Sequence, residues 1–196
     1  MRVKHNNRHC HRAGLLRLGA GGIMWGLLML MSTATAGSLI PLAVEQLAEA
    51  SQIVVFGTVN SKTCLRDEAG RIYTKVEIDV KETWKGVHPE GKPISVVHGG
   101  GTLGERRVVV SNQVNYRIGE EVVAFLRWNQ RGEAVTIAMC QGKFDVLLDK
   151  MSGERHVRNT FHGGAPRAGA AEKYRLPTEL PITLGSLRRQ VQLLPR

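Results

Sequence analysis

The chain has 196 residues, enough for one domain with its own core, and 27 basic against 17 acidic side chains give it a formal charge of +10. That charge lies at the two ends: residues 1–17 carry five basic groups and no acid, residues 150–196 carry nine against three, and residues 37–149 hold 13 basic and 14 acidic. A nucleic-acid binder needs a basic face on its folded part, so that class is excluded and only loose contact of the basic tail with an anionic surface remains.

Residues 1–36 read as a signal peptide. Arg2, Lys4, Arg8, Arg12 and Arg17 precede a short apolar run, "GAGGIMWGLLMLM", and then the small residues Ala34-Thr35-Ala36. The run falls short of the roughly 20 apolar residues that span a bilayer. Cleavage is expected between Ala36 and Gly37, which lowers the charge to +5 and leaves no transmembrane anchor. The mature protein is then secreted or periplasmic. It keeps two cysteines, Cys64 and Cys140, and an oxidising compartment favours a bridge between them. Closing a loop of about 77 residues stabilises by about 4–5 kcal/mol in the chain-entropy model.

Residues 37–150 read as a β domain. Val44, Leu47 and Ala48 fall at helical spacing behind Pro41 and predict a short helix. "QIVVFGTVN" predicts the first strand. "RIYTKVEIDVKETW" predicts a long half-buried strand, with Ile72, Thr74, Val76, Ile78 and Val80 on one face and Tyr73, Lys75, Glu77, Asp79 and Lys81 on the other. Shorter strands are predicted at "PISVVH", "RRVVVS", "EEVVAFLRW", "EAVTIAMC" and "KFDVLLD", separated by turns rich in Gly, Asn and Pro. Such spacing argues for a small antiparallel barrel or sandwich. Residues 151–181 read as a linker or arm, with "ERHVR" as a hairpin arm. Residues 182–196 read as an amphipathic helix that follows a Thr183 cap and packs back on the barrel through Leu184, Leu187, Val191 and Leu194.

The stretch most suggestive of chemistry is "VVHGGG", residues 96–101, because lipases and esterases use an HGGG loop as an oxyanion hole. No GxSxG nucleophile motif accompanies it, and the pattern is strand upon strand rather than alternating strand and helix. His98 to Gly101 therefore read as a turn, with His98 exposed at a strand end and positive φ at Gly99 or Gly100. The other mature histidines, His88, His156 and His162, match no zinc spacing. Asp67-Glu68 and Glu120-Glu121 read as solvated turn acids, and Trp84 and Trp128 as covers for the barrel ends. No catalytic, cofactor or metal residue is assigned.

The blocks "LAEASQIVVFGTV", "YTKVEIDVKETWKG", "RIGEEVVAFL" and "CQGKFDVLLD" resemble a family of uncharacterised exported bacterial proteins over residues 39–150. The first two also resemble netrin and tissue-metalloproteinase-inhibitor modules, at Ala50 to Val59 and at Trp84-Lys85-Gly86. That resemblance implies an OB-like five-stranded barrel. Those inhibitors bind zinc through an amino-terminal Cys, whereas this mature chain would begin Gly37-Ser38-Leu39. The resulting expectation is mainly β: a small antiparallel OB-like barrel with a short N-terminal helix and a C-terminal amphipathic helix. Its expected role is that of an exported non-enzymatic module binding a protein or cell-envelope partner. An inhibitor or accessory protein of a secreted metallopeptidase is the second reading, and a small secreted ester hydrolase built on His98 the third.

Overall fold

The longest alternation in the sequence becomes half of the longest hairpin. In the computed structural model, which describes residues 39–164 and 181–193, β1 (Ile53–Arg66) and β2 (Ile72–Lys85) pair antiparallel from Val54↔Lys85 to Arg66↔Ile72. The five predicted inner positions of β2, from Ile72 to Val80, are all buried. Thr74 is satisfied there by donating its hydroxyl to the Gly100 carbonyl at 2.7 Å. The register of β1 is irregular at three places between Val54 and Ser61, and such bulges bend and twist a strand. Its first half, Ile53–Thr58, is therefore able to pair on both edges, with β2 and with β6 (Glu121–Trp128).

β3 (Pro93–Gly99) continues the sheet beside β2, antiparallel from Asp79↔Pro93 to Tyr73↔Gly99. β7 (Ala134–Thr136) pairs antiparallel with β6 and meets β3 at one parallel register pair, Val96↔Ala134. Pairings thus run β1–β2–β3–β7–β6 and return to β1. Through Val122–Ala124, β6 also pairs with β8 (Lys143–Leu148), which is followed outward by β9 (Arg155–Arg158) and β10 (Ile182–Thr183). β4 (Gly101–Leu103) and β5 (Arg106–Val108) form a separate small hairpin.

Helix α1 (Val44–Ala50) starts without a capping oxygen on Ala43; Gln46 Oε1 instead accepts the Ala43 N–H at 2.9 Å. Its last turn is closed by Ser51 Oγ and Lys85 Nζ, both donating to the Ala48 carbonyl, at 2.8 and 2.6 Å. Helix α2 (Leu184–Gln192) starts where Thr183 Oγ1 accepts the Ser186 N–H at 3.1 Å. Among the described residues no helix is long and apolar enough to cross a membrane.

The core has two parts separated by β1 and β6. One includes Ile53, Val55, Val76, Ile78, Val96, Val122, Ala124, Leu126 and Tyr116. The other gathers Val54, Phe56, Trp84, Val123, Phe125, Phe144 and Val157 under Leu47 of α1 and Leu187 and Val191 of α2. The start of β1 and the middle of β6 are buried on both faces, which explains their unbroken apolar runs.

Several predicted boundaries move. The strand expected at "RRVVVS" stops at Val108, and Val109 and Val110 are exposed because no strand edge meets them. "EAVTIAMC" keeps only Ala134–Thr136 as strand; the chain then turns through Ala138 and Met139, at φ 47° and 57°, into a 3₁₀ turn. Residue 150 is not the end of the sheet, since β9 within the expected linker pairs on both sides. Residues 165–180 of that linker and Leu194 lie outside the described residues, as do Ala36 and Gly37.

Candidate functional site

β3 carries the chain through His98 to Gly99, after which Gly100 (φ 77°) and Gly101 (φ 139°) turn it into β4. The Gly100 N–H donates to the Ile72 carbonyl at 3.0 Å, so it is occupied and does not face an oxyanion. A Cβ on Gly100 would stand 2.7 Å from the Val108 carbonyl oxygen, and one on Gly101 would stand 2.6 Å from Thr74 Oγ1 and 2.7 Å from Cys64 Sγ. Conformation and space both require glycine at these two positions. Of the two glycines at which positive φ was expected, Gly100 holds it; the φ of Gly99 is not positive, and a Cβ there would find only Val110 Cγ2, at 3.6 Å.

His98 is not the exposed side chain expected. It shares the inward parity of Ile94 and Val96, and its ring is half-buried. Nδ1 lies 3.0 Å from the Gly99 carbonyl oxygen, while Nε2 is buried with no hydrogen-bond partner. Burial pushes its pKa below the ordinary 6.5; the Gly99 contact opposes the shift and the Lys62 charge adds to it. Among the described residues no nucleophile is bonded to this ring.

The expected bridge between Cys64 and Cys140 is not formed: both thiols are free. Cys64 Sγ sits 3.5 Å from Thr74 Oγ1 at the glycine turn, whereas Cys140 lies in the 3₁₀ turn, its N–H donating to the Asn112 carbonyl at 3.1 Å. The histidines are dispersed, with His88 Nε2 3.1 Å from the Lys92 carbonyl and His162 Nε2 2.8 Å from that of Leu42. His162 is buried and stacks on Phe144 with ring centroids 6.0 Å apart. Among the described residues no three His, Cys, Asp or Glu side chains converge as metal ligands. Trp84 is buried against Phe56 and donates Nε1 to Glu82 Oε2 at 2.9 Å, while Trp128 remains 44% exposed.

Three of the four acids read as solvated turn residues are engaged, while Glu68 is exposed as expected. Glu120 pairs with Lys143, a buried lysine that also reaches Asp145 at 2.8 Å, the Asn115 carbonyl at 2.7 Å and the face of Tyr116. Glu121 pairs with Lys81 and Arg155. Asp67 accepts the Arg71 N–H and Nε, both at 2.8 Å, and these bonds hold its carboxyl below the usual range. Asp67 also lies 3.7 Å from Arg131, which ties the β1–β2 turn to the β6–β7 turn.

Those two turns flank a cleft of about 610 Å³ on the outer face of β2 and β3. Its floor is made by Tyr73, Val97, Gly99 and Val135, positions next to core residues on their strands and turned away from the core. One side is the Asp67–Arg71 turn, another is Asn129 to Glu133, and the β4–β5 hairpin with Val110 forms the third through Arg106 and Val108. Arg71 and Arg131 are held by Asp67, whereas Arg106 has no ion pair among the described residues. Sequence reading missed this site because its charged residues lie in three separate turns; the outward parity of Tyr73 and Val97 was the available signal. Compared with known proteins, the chain matches no family model, and no curated protein matches it in sequence.

Proposed function

We propose that this chain is an exported, non-enzymatic module whose five central strands form an OB-like barrel, and that it binds a protein or cell-envelope partner through the cleft between the β1–β2 and β6–β7 turns. The pairing order β1–β2–β3–β7–β6–β1, with its parallel contact between β3 and β7, supports the barrel and the netrin-like resemblance. The observation that carries the function is the position of the cleft. OB-type barrels bind ligands on the face of their second and third strands, between the loops that join strands 1–2 and 4–5. Here those loops are the two turns joined by Asp67 and Arg131.

The chemistry of the glycine turn favours binding over hydrolysis, because the Gly100 N–H is occupied and His98 Nε2 meets no nucleophile among the described residues. Cys64 packs against Thr74 rather than standing at a free amino terminus, which speaks against the inhibitor reading.

A photo-crosslinking amino acid placed at Tyr73 in the exporting cell is expected to capture a partner, while the same group at exposed Leu147, outside the cleft, is expected to capture none. Adducts from Leu147 alone, or none from Tyr73, would overturn the reading. Amino-terminal sequencing of the exported protein is expected to begin at Gly37; an intact residue 1–36 segment would remove the export part.

A further inference from the structure

We propose that the cleft takes an extended peptide segment of a partner protein, with one aliphatic side chain among Val97, Val108, Val110 and Val135 and a neighbouring carboxylate on Arg106. This rests on the reading of the cleft as the partner surface and adds the chemistry of its occupant.

Three observations select that chemistry. The valines are incompletely covered, with Val108 43% and Val110 38% exposed, so the cleft wall offers apolar area still in contact with water. Gly99 leaves empty space above the floor, since a Cβ there would meet one atom only, Val110 Cγ2 at 3.6 Å. A main chain can therefore lie close to β3 at that point. Charge supplies the third. Arg71 and Arg131 share Asp67, and Asn129 donates to Glu133 at 2.9 Å, so Arg106 is the cleft arginine without an ion pair among the described residues. One uncompensated guanidinium suits a single carboxylate, which it can hold through two parallel hydrogen bonds.

Other occupants fit less well. A nucleic-acid strand needs a track of cations and aromatic platforms, and the cleft offers one arginine without an ion pair among the described residues, the ring of Tyr73 and the half-buried imidazole of His98. A lipid tail needs an enclosed channel, whereas Gly99 in the floor is itself exposed to solvent.

The test is selection of random short peptides displayed on phage against the immobilised mature chain, residues 37–196, followed by fluorescence anisotropy of the selected peptides. Selected sequences are expected to place an aliphatic residue within a few positions of Asp or Glu. Arg106→Glu should weaken them at least about tenfold, and a peptide with its acid changed to Lys should prefer that variant over the wild type. Gly99→Val, which fills the empty space at an ordinary φ, should abolish binding while leaving the thermal melt unchanged. Four outcomes would each overturn the proposal: no enrichment above an unrelated immobilised domain, selected peptides without an acid, binding indifferent to Arg106→Glu, or binding that survives Gly99→Val. Displacement of Tyr73-directed crosslinks by oleate or by oligothymidylate, with no peptide selected, would assign the cleft to a lipid or a nucleic acid instead. Partner crosslinks at Tyr73 without peptide selection would leave the cleft as the binding surface and remove only its peptide occupant; failure of both removes both.

Discussion

The start of β1 and the middle of β6 are covered on both faces, whereas β2 from Ile72 to Val80, β3 and β7 are covered on one. Behind β1 and β6, the rings of Phe125 and Phe144 pack 5.6 Å apart under α1 and α2. In front of β2 and β3, Tyr73, Lys75, Val97 and Val135 are half-buried, and among the described residues no helix covers them; turns and the small β4–β5 hairpin border the cleft. The covered side turns apolar area into stability. The open side keeps its apolar area available, and recognition surfaces are commonly built from loops on such a rigid support.

The largest expected effect tests that division directly. Phe125→Ala removes a fully buried ring whose neighbours are fixed by two helices and should destabilise by about 3–5 kcal/mol in urea denaturation. Val135→Ala in the open cleft should stay within about 0.5 kcal/mol. Comparable losses at the two sites would mean that the cleft floor is part of the core.

A smaller effect separates the glycines of one turn. Gly101→Val should destabilise by about 1–3 kcal/mol, because it combines positive φ with contacts to Thr74 and Cys64. Gly99→Val should be close to neutral, with its ordinary φ and its free space. Thermal melts of the two variants decide it, and equal losses would show that Gly99 is as tightly enclosed as Gly101.

The two sides were not equally readable from the sequence. On β2 the alternation was complete, and each apolar position from Ile72 to Val80 is buried as its parity requires. The same parity places His98 inward with Val96, but the following glycines suggested that the strand had already ended. Continuous runs such as Val122 to Leu126 announced a strand without revealing that helices cover its second face. Lys143 and Glu120 are 23 positions apart and pair only because β8 lies beside β6. Nor did the presence of Cys64 and Cys140 imply proximity, since one lies at the glycine turn and the other in the 3₁₀ turn beyond β7. The cleft was least accessible of all. A turn arginine such as Arg71 or Arg131 looks solvated until folding brings both to Asp67.

The smallest expected effect depends on pH and lies where the two sides meet, at His98. Burial is the main cause that lowers its pKa in the folded protein from the ordinary 6.5, and Lys62 acts in the same direction. The folded state therefore holds the neutral ring, while the unfolded chain takes up a proton as pH falls through 6.5. Above that value the ring contributes no pH dependence. Below it, the unfolded state binds more protons and the folded protein loses stability progressively, down to the lowered pKa of the folded ring. His98→Gln removes the titrating group, so the variant and the wild type should have similar urea midpoints at about pH 7.5 and separate at about pH 5, with the wild type lower. Asp67 and Asp149, whose carboxyls are held below their usual range, titrate in both proteins and cancel in the difference. Parallel midpoints across the whole interval would mean that water reaches Nε2, and the inward half of β3 would then belong to the open side.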